Sequence, residues 1–286
     1  MRDIDQEKQD LLERLVHSPS YEIAFEDQEF IHSGAARALR IEAEVAKPEW
    51  FFKQYGIRST IIVFGSARFV DRETAMGRLQ KAKNDLEKNP NEEWSHDALD
   101  KANHDVQMSE YYELAREFAL LVSQQNQCQV DEDHDGEFDY VICTGGGPGI
   151  MEAGNRGAYE AGALSIGLNI KLPYEQHPNP YISPQLCFQF HYFAIRKLHF
   201  LLRAKALVVF PGGFGTFDEL FEALTLRQTN KMQMLPVIIF GKDFWEKTIN
   251  FKHLVDTGVI ERADLELFKY ADTPEEAWDM IQAFHR

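Results

Sequence analysis

Ala206-Leu207-Val208-Val209-Phe210, then Pro211-Gly212-Gly213-Phe214-Gly215-Thr216-Phe217-Asp218-Glu219, then Leu220-Phe221-Glu222-Ala223-Leu224 reads as strand, glycine-rich loop and helix. Glycines let a backbone turn tightly and approach an anion, and the free amides and positive dipole end of the following helix point at it. The stretch is a candidate phosphate seat built from Gly212, Gly213, Gly215 and Thr216, whose hydroxyl adds a donor. Glu219 lies one turn in, where a carboxylate does not help to bind a phosphate and suggests chemistry on something attached to it. A purely local reading is also open: Thr-x-x-Glu is the capping-box pattern, with Thr216 as N-cap and Glu219 as its partner.

A second loop repeats the arrangement. Asp139 to Cys143 is a short buried-strand pattern, followed by Thr144-Gly145-Gly146-Gly147-Pro148-Gly149 and a helical run from Ile150 to Ala158. A third junction, Thr60 to Phe64 into Gly65-Ser66-Ala67-Arg68, puts a small polar residue and a cation at a strand's carboxyl end, the edge where open parallel sheets bind ligands. Further strand-like runs fall at Leu164 to Asn169, Leu186 to Phe190, Ala206 to Phe210, Pro236 to Phe240 and Glu266 to Tyr270. Helical patterns alternate with most of them, which predicts an α/β fold with a mostly parallel, doubly wound sheet covered on both faces. Two helices, Val70 to Glu93 and Ser109 to Gln125, are expected in a long first connection, joined by a polar stretch. Ahead of the core, Gln6 to about Tyr55 reads as helical up to Lys47-Pro48, with Leu11, Leu12, Leu15 and Val16 as one stripe. The expected organisation is a helical extension over 1–57 and a Rossmann-like domain over 58–286.

Composition narrows the partners. Thirty Lys and Arg face 46 Asp and Glu, a net charge of −16, which argues against a nucleic-acid or anionic-membrane binder, because those need basic patches. Cys128, Cys143 and Cys187 are odd in number and without paired spacing, so they read as reduced core residues. With a charged N-terminus and no run of membrane-spanning length, a cytoplasmic protein is expected. Asp131 to Gly136 resembles the start of a calcium loop, but its twelfth position is Ile142, which belongs to a strand, and a solvated loop is the better reading. His177, His191 and His199 show no metal-ligand spacing and read as packing or hydrogen-bonding residues. No metal or organic cofactor is expected.

Gly145-Gly146-Gly147-x-x-Gly-x-Met, then Ile195-Arg196-Lys197, then Pro211-Gly212-Gly213-x-Gly-Thr-x-x-Glu219 resembles the LONELY GUY family of cytokinin riboside 5′-monophosphate phosphoribohydrolases, long misnamed lysine decarboxylases. The resemblance covers roughly 59–240 and is closer to the longer bacterial members, which include nucleoside 5′-monophosphate nucleosidases. It implies a modified Rossmann fold, a homodimer or larger assembly, and hydrolysis of a nucleoside monophosphate such as AMP to free base and ribose 5-phosphate. By position it makes Arg196 and Glu219 the catalytic pair and sets the phosphate on Gly212, Gly213, Gly215 and Thr216. Gly65, Ser66, Arg68, Gly146, Gly147 and Lys197 are further substrate-binding candidates. Where the family often has Met before the Arg-Lys pair, this chain has His191-Tyr192-Phe193-Ala194, a departure that bears on base recognition.

The residue types suit that chemistry. Cleaving a ribosyl C–N bond passes through an oxocarbenium-like state, which a carboxylate stabilises or supplies with activated water. A planar guanidinium at Arg196 can orient that carboxylate, bind a sugar oxygen or counter charge on the leaving base. Read blandly, Arg196 and Lys197 are an exposed cationic pair matched by nearby acids, and Glu222 is a solvated helix position. Two rival activities differ in class. A pyridoxal decarboxylase needs a Schiff-base lysine that no loop here announces, and a nucleotide-binding carrier or regulatory module would keep the loops without turnover.

Overall fold

The structure, a computed structural model, describes residues 4–126, 136–173 and 177–286. The calcium-like segment up to Asp135 and Cys128 lie outside the described residues. The chain divides into two compact units, Met1–Lys47 and Pro48–Arg286.

The first unit holds α1 (Ile4–Val16), a 3-10 turn at Pro19–Tyr21, α2 (Gln28–His32) and the start of α3 (Arg37–Gln54). The helical pattern of the sequence is therefore broken twice, at Ser18-Pro19 and around Ser33-Gly34. Asp27 caps α2 by accepting the Phe30 N–H at 2.8 Å. The Leu11, Leu12, Leu15 and Val16 stripe is half exposed rather than buried. α3 also corrects the expected stop at Lys47-Pro48, because it continues through a buried Pro48. Proline removes one intrahelical donor, yet the turns beyond it carry Phe51 and Phe52, whose rings meet Phe188 edge-on at 5.7 and 5.4 Å.

The second unit is a seven-stranded sheet in the order β4-β3-β2-β1-β5-β6-β7. Its strands are β1 (Thr60–Phe64), β2 (Val141–Thr144), β3 (Ser165–Ile170), β4 (Cys187–Phe190), β5 (Ala204–Val209), β6 (Val237–Phe240) and β7 (Lys269–Ala271). All six pairings are parallel. The helices are α4 (Arg72–Lys88), α5 (Glu93–Asn126), α6 (Ile150–Glu160), α7 (Phe193–Leu202), α8 (Phe214–Gln228), α9 (Lys242–Thr248), α10 (Phe251–Asp256) and α11 (Pro274–His285). The polar stretch expected to separate two helices in the first connection is itself helical and forms the first turns of the 34-residue α5. One buried position about every two turns, Ser95 and then Ala102, is enough to seat it. β7 starts three residues later than its pattern suggests, because 262–267 form a 3-10 segment.

Side chains alternate across a strand, and β1 shows the result: Ile61 and Val63 enter one core, Ile62 and Phe64 the other. The first core includes Tyr112, Phe118, Ala153 and Trp278 from α5, α6 and α11. The opposite core takes Phe52, Phe200, Leu220 and Trp245 from α3, α7, α8 and α9. Cys143 is buried as expected, whereas Cys187 is exposed: it lies on the edge strand β4, whose side chains alternate between solvent and core.

Candidate functional site

Strand order reverses at β1. The chain builds outward from β1 through β2, β3 and β4, then returns to place β5 on the other side of β1. The crevice at the carboxyl ends of β1 and β5 is thus the switch point where such sheets bind ligands, and the three loops singled out by the sequence converge there. The Ser66 N–H donates to the Pro211 carbonyl at 2.9 Å, and the Ile150 N–H donates to the Ser66 carbonyl at 3.0 Å. Gly149, at φ +74°, permits this junction, since a Cβ there would collide with Ser66 and Ala67 backbone atoms. Gly65 is buried against Ile150, Ser66 is half-buried with its hydroxyl accepting the Arg68 N–H at 3.2 Å, and Arg68 is exposed.

The two glycine loops differ in how their backbones are used. In the 145–149 loop, the Gly146 N–H donates to Thr144 Oγ1 at 3.0 Å. Asn179 gives its N–H to the Gly146 carbonyl (2.9 Å) and its side-chain amide to the Gly147 carbonyl (3.1 Å) and to Asn155 Oδ1 (2.9 Å). Asn155 Oδ1 also accepts from Thr144 Oγ1 at 2.7 Å. Gly145, Gly146 and Gly147 are buried.

The 211–215 loop is open: Gly213 and Gly215 are exposed, and a Cβ on either would meet nothing within 4 Å. Gly212 is the tight position, where a Cβ would collide with the Thr216 side chain and lie 3.0 Å from the Ser66 amide nitrogen. Gly213 is the N-cap of α8 and supplies no side-chain cap bond. The capping-box reading is thereby overturned, because Thr216 is the third residue of the helix and buried, not its cap. The Thr216 and Phe217 N–H groups donate to the Gly213 carbonyl at 2.9 and 3.0 Å, which leaves the Phe214 and Gly215 amides as the ones that open α8 without an intrahelical partner.

Arg196 sits in the first half of α7, which Tyr192 precedes as N-cap. Its guanidinium lies against Gly145, where a Cβ would come 2.7 Å from Nη2, and over the Phe200 ring at 5.3 Å. Its Nε is buried without a hydrogen-bond partner. Burial pulls this guanidinium below its ordinary pKa, against the opposing charge of Glu219. Glu219 is its complement: burial pushes the carboxyl up to about 7, although Lys197 and Arg196 pull it down. Among the described residues, neither Arg196 nor Glu219 has an ion-pair partner within 4.0 Å.

Lys197 behaves differently from its neighbour. Its Nζ is 2.7 Å from Asp218 Oδ2 and 3.0 Å from Glu222 Oε2. Burial lowers its pKa, and these two hydrogen bonds more than reverse that. The bland reading of the Arg-Lys pair therefore describes Lys197 and not Arg196. Asn155, Asn179 and Asp218 were not singled out by sequence; the asparagines look like ordinary helix and loop polar residues until the loop closes on them.

Of the histidines, His177 and His191 are exposed, and His199 is buried 3.7 Å from Glu49. Among the described residues, no group of three or more His, Cys, Asp or Glu is placed to hold a metal ion. No described helix is long and apolar enough to cross a membrane.

The fold and crevice define a Rossmann-like α/β protein with its candidate site at the β1/β5 switch point. Residues 151–281 match the family described as "Possible lysine decarboxylase", in keeping with the resemblance that the motifs carry. A pyrimidine/purine nucleotide 5′-monophosphate nucleosidase of Escherichia coli K12 is 34% identical over 111 residues, covering 35% of this chain. Its counterpart in the O157:H7 strain matches equally. The chain spans about a quarter of those relatives' length, 24%. Among solved structures, the protein TM1055 matches with a TM-score of 0.47 at 20% identity, over 79% of this chain and 99% of that one. The Moco carrier protein of Chlamydomonas reinhardtii matches with a TM-score of 0.43 at 18% identity, over the same shares.

Proposed function

We propose that this protein hydrolyses the N-glycosidic bond of nucleoside 5′-monophosphates, releasing the base and ribose 5-phosphate. The observation that carries the reading is the pair of half-buried, oppositely charged groups, Arg196 and Glu219, with no ion-pair partner within 4.0 Å among the described residues, next to an open glycine loop. Charges withdrawn from water are costly when left unpaired, and a site that holds two such groups is organised for a ligand. The family match over 151–281 and the nucleosidase relatives support the same reading.

In this mechanism the 5′-phosphate rests on the Gly212–Gly215 backbone and the start of α8, with Gly65, Ser66 and Arg68 across the crevice. Binding energy from the phosphate positions the sugar. Glu219, ionised, stabilises positive charge on the ribosyl carbon or takes a proton from the attacking water. As the C–N bond breaks, its electron pair leaves with the base, which gains a proton, while water oxygen bonds to the same carbon. Arg196 orients Glu219 and counters charge on the leaving group. Gly146 and Gly147 act mainly by shaping the floor on which Arg196 lies. A homodimer or larger assembly belongs to the same proposal, supported by exposed Phe193, Leu198, Leu202 and Phe214 around α7 and the start of α8, and light scattering checks it.

The direct test is incubation with a panel of purine, pyrimidine and cytokinin nucleotides, scored for free base, with AMP compared against adenosine. Turnover confined to the 5′-phosphates is expected, unchanged by a chelator. Equal turnover of AMP and adenosine overturns the phosphate seat, and binding without release of base favours the carrier.

A further inference from the structure

Resting on the reading of Glu219 above, we propose that Asp218 and Glu222 form a clamp that holds Lys197 off Glu219, making them positioning residues for the proposed hydrolysis. The clamp follows from helix geometry. Asp218 and Glu222 are four residues apart on α8 and so share a face, and both reach the same ammonium, at 2.7 and 3.0 Å. Glu219 lies between them in sequence and is not within 4.0 Å of that ammonium. Two charge-assisted hydrogen bonds outcompete one, so Lys197 stays with the clamp. Released, it would be the nearest mobile cation to a half-buried carboxylate and would pair with it, occupying the group meant for water or the ribosyl cation.

The charged groups acting on Glu219 are Lys197 and Arg196 from α7 and Asp218 and Glu222 from its own helix. Arg196 is set against Gly145 and packed over Phe200. Lys197 is the cation whose position the clamp controls.

The test is a mutant cycle of D218N/E222Q and K197M, alone and combined. In each protein the Glu219 titration is read twice: from the pH dependence of kcat/KM for AMP, and from the infrared carboxyl band lost in E219Q. D218N/E222Q is expected to lower the midpoint by about one unit, K197M to raise it, and D218N/E222Q added to K197M to lower it by clearly less than it does with Lys197 present, the remainder being the direct repulsion of the two acids. A downward shift of equal size with and without Lys197 means the acids act only through space, and no shift means they do not act at all; either result overturns the clamp. Should the double variant fail to fold, D218N and E222Q taken singly against K197M complete the same cycle. The infrared titration needs no turnover, so absence of AMP hydrolysis counts against the proposed function while the clamp is still judged.

Discussion

The two glycine-rich loops share a sequence pattern, strand then glycines then helix, and use it for opposite ends. The 145–149 loop turns its polar backbone inward: Thr144, Asn155 and Asn179 take up the Gly146 amide and the Gly146 and Gly147 carbonyls. The 211–215 loop leaves Gly213 and Gly215 in open space at the start of a helix. Backbone groups already satisfied inside the protein are not available to a ligand, whereas an uncapped helix start is. One loop is a brace beneath Arg196, the other the proposed phosphate seat.

Mutations sharpen that contrast. The largest effect on stability belongs to the brace. Asn155→Ala leaves Thr144 Oγ1, the Asn179 amide and the Ile166 carbonyl each short of a buried partner. A loss of about 3 kcal/mol is expected in denaturant titration, since unsatisfied buried groups cost about 1–3 kcal/mol each. Next is Gly213→Val in the seat. With nothing within 4 Å of its Cβ, stability should change by less than about 1 kcal/mol, while KM for AMP rises about tenfold or more, equivalent to about 1.4 kcal/mol. An unaltered KM would show that the open loop is not the phosphate site. The smallest is Gly215→Ala, in the first turn of α8 with equally open space. Greater helix propensity should raise stability by about 0.5–1 kcal/mol. Increased stability with poorer KM marks a glycine kept for the ligand, and unchanged KM confines contact to Gly212 and Gly213.

The contrast also marks how far the sequence could be read. Apolar strands punctuated by glycine loops located six of the seven strands to within two residues and all three loops at the crevice, because buried parallel strands are continuous hydrophobic runs. Boundaries failed where burial is sparse. The start of α5 looks like a polar linker, and Pro48 looks like a helix end until Phe51 and Phe52 are seen packing on Phe188. At the site, the motifs set Arg196 and Glu219 apart as a pair and left Lys197 a further substrate-binding candidate, without showing how the surroundings of the two neighbouring cations differ. That difference depends on which side of α7 meets α8, and only the Lys197 contacts with Asp218 and Glu222 reveal it.

The central claim is that Glu219 is held partly out of water for chemistry at a cost to the fold, and Glu219→Gln tests it when turnover and melting temperature are measured on one sample at pH 8 and pH 5. The folded-state carboxyl is raised from 4.5 to about 7, so its stabilising contribution is complete below 4.5 and lost as pH rises through 7. At pH 8 the ionised group costs up to about 3 kcal/mol, at 1.36 kcal/mol per unit. Removing the charge should therefore raise the melting temperature at pH 8, with the gain shrinking toward pH 5, while turnover of AMP falls on the order of 10²-fold or more. A variant that melts lower at pH 8 and turns over AMP at the wild-type rate would contradict the account.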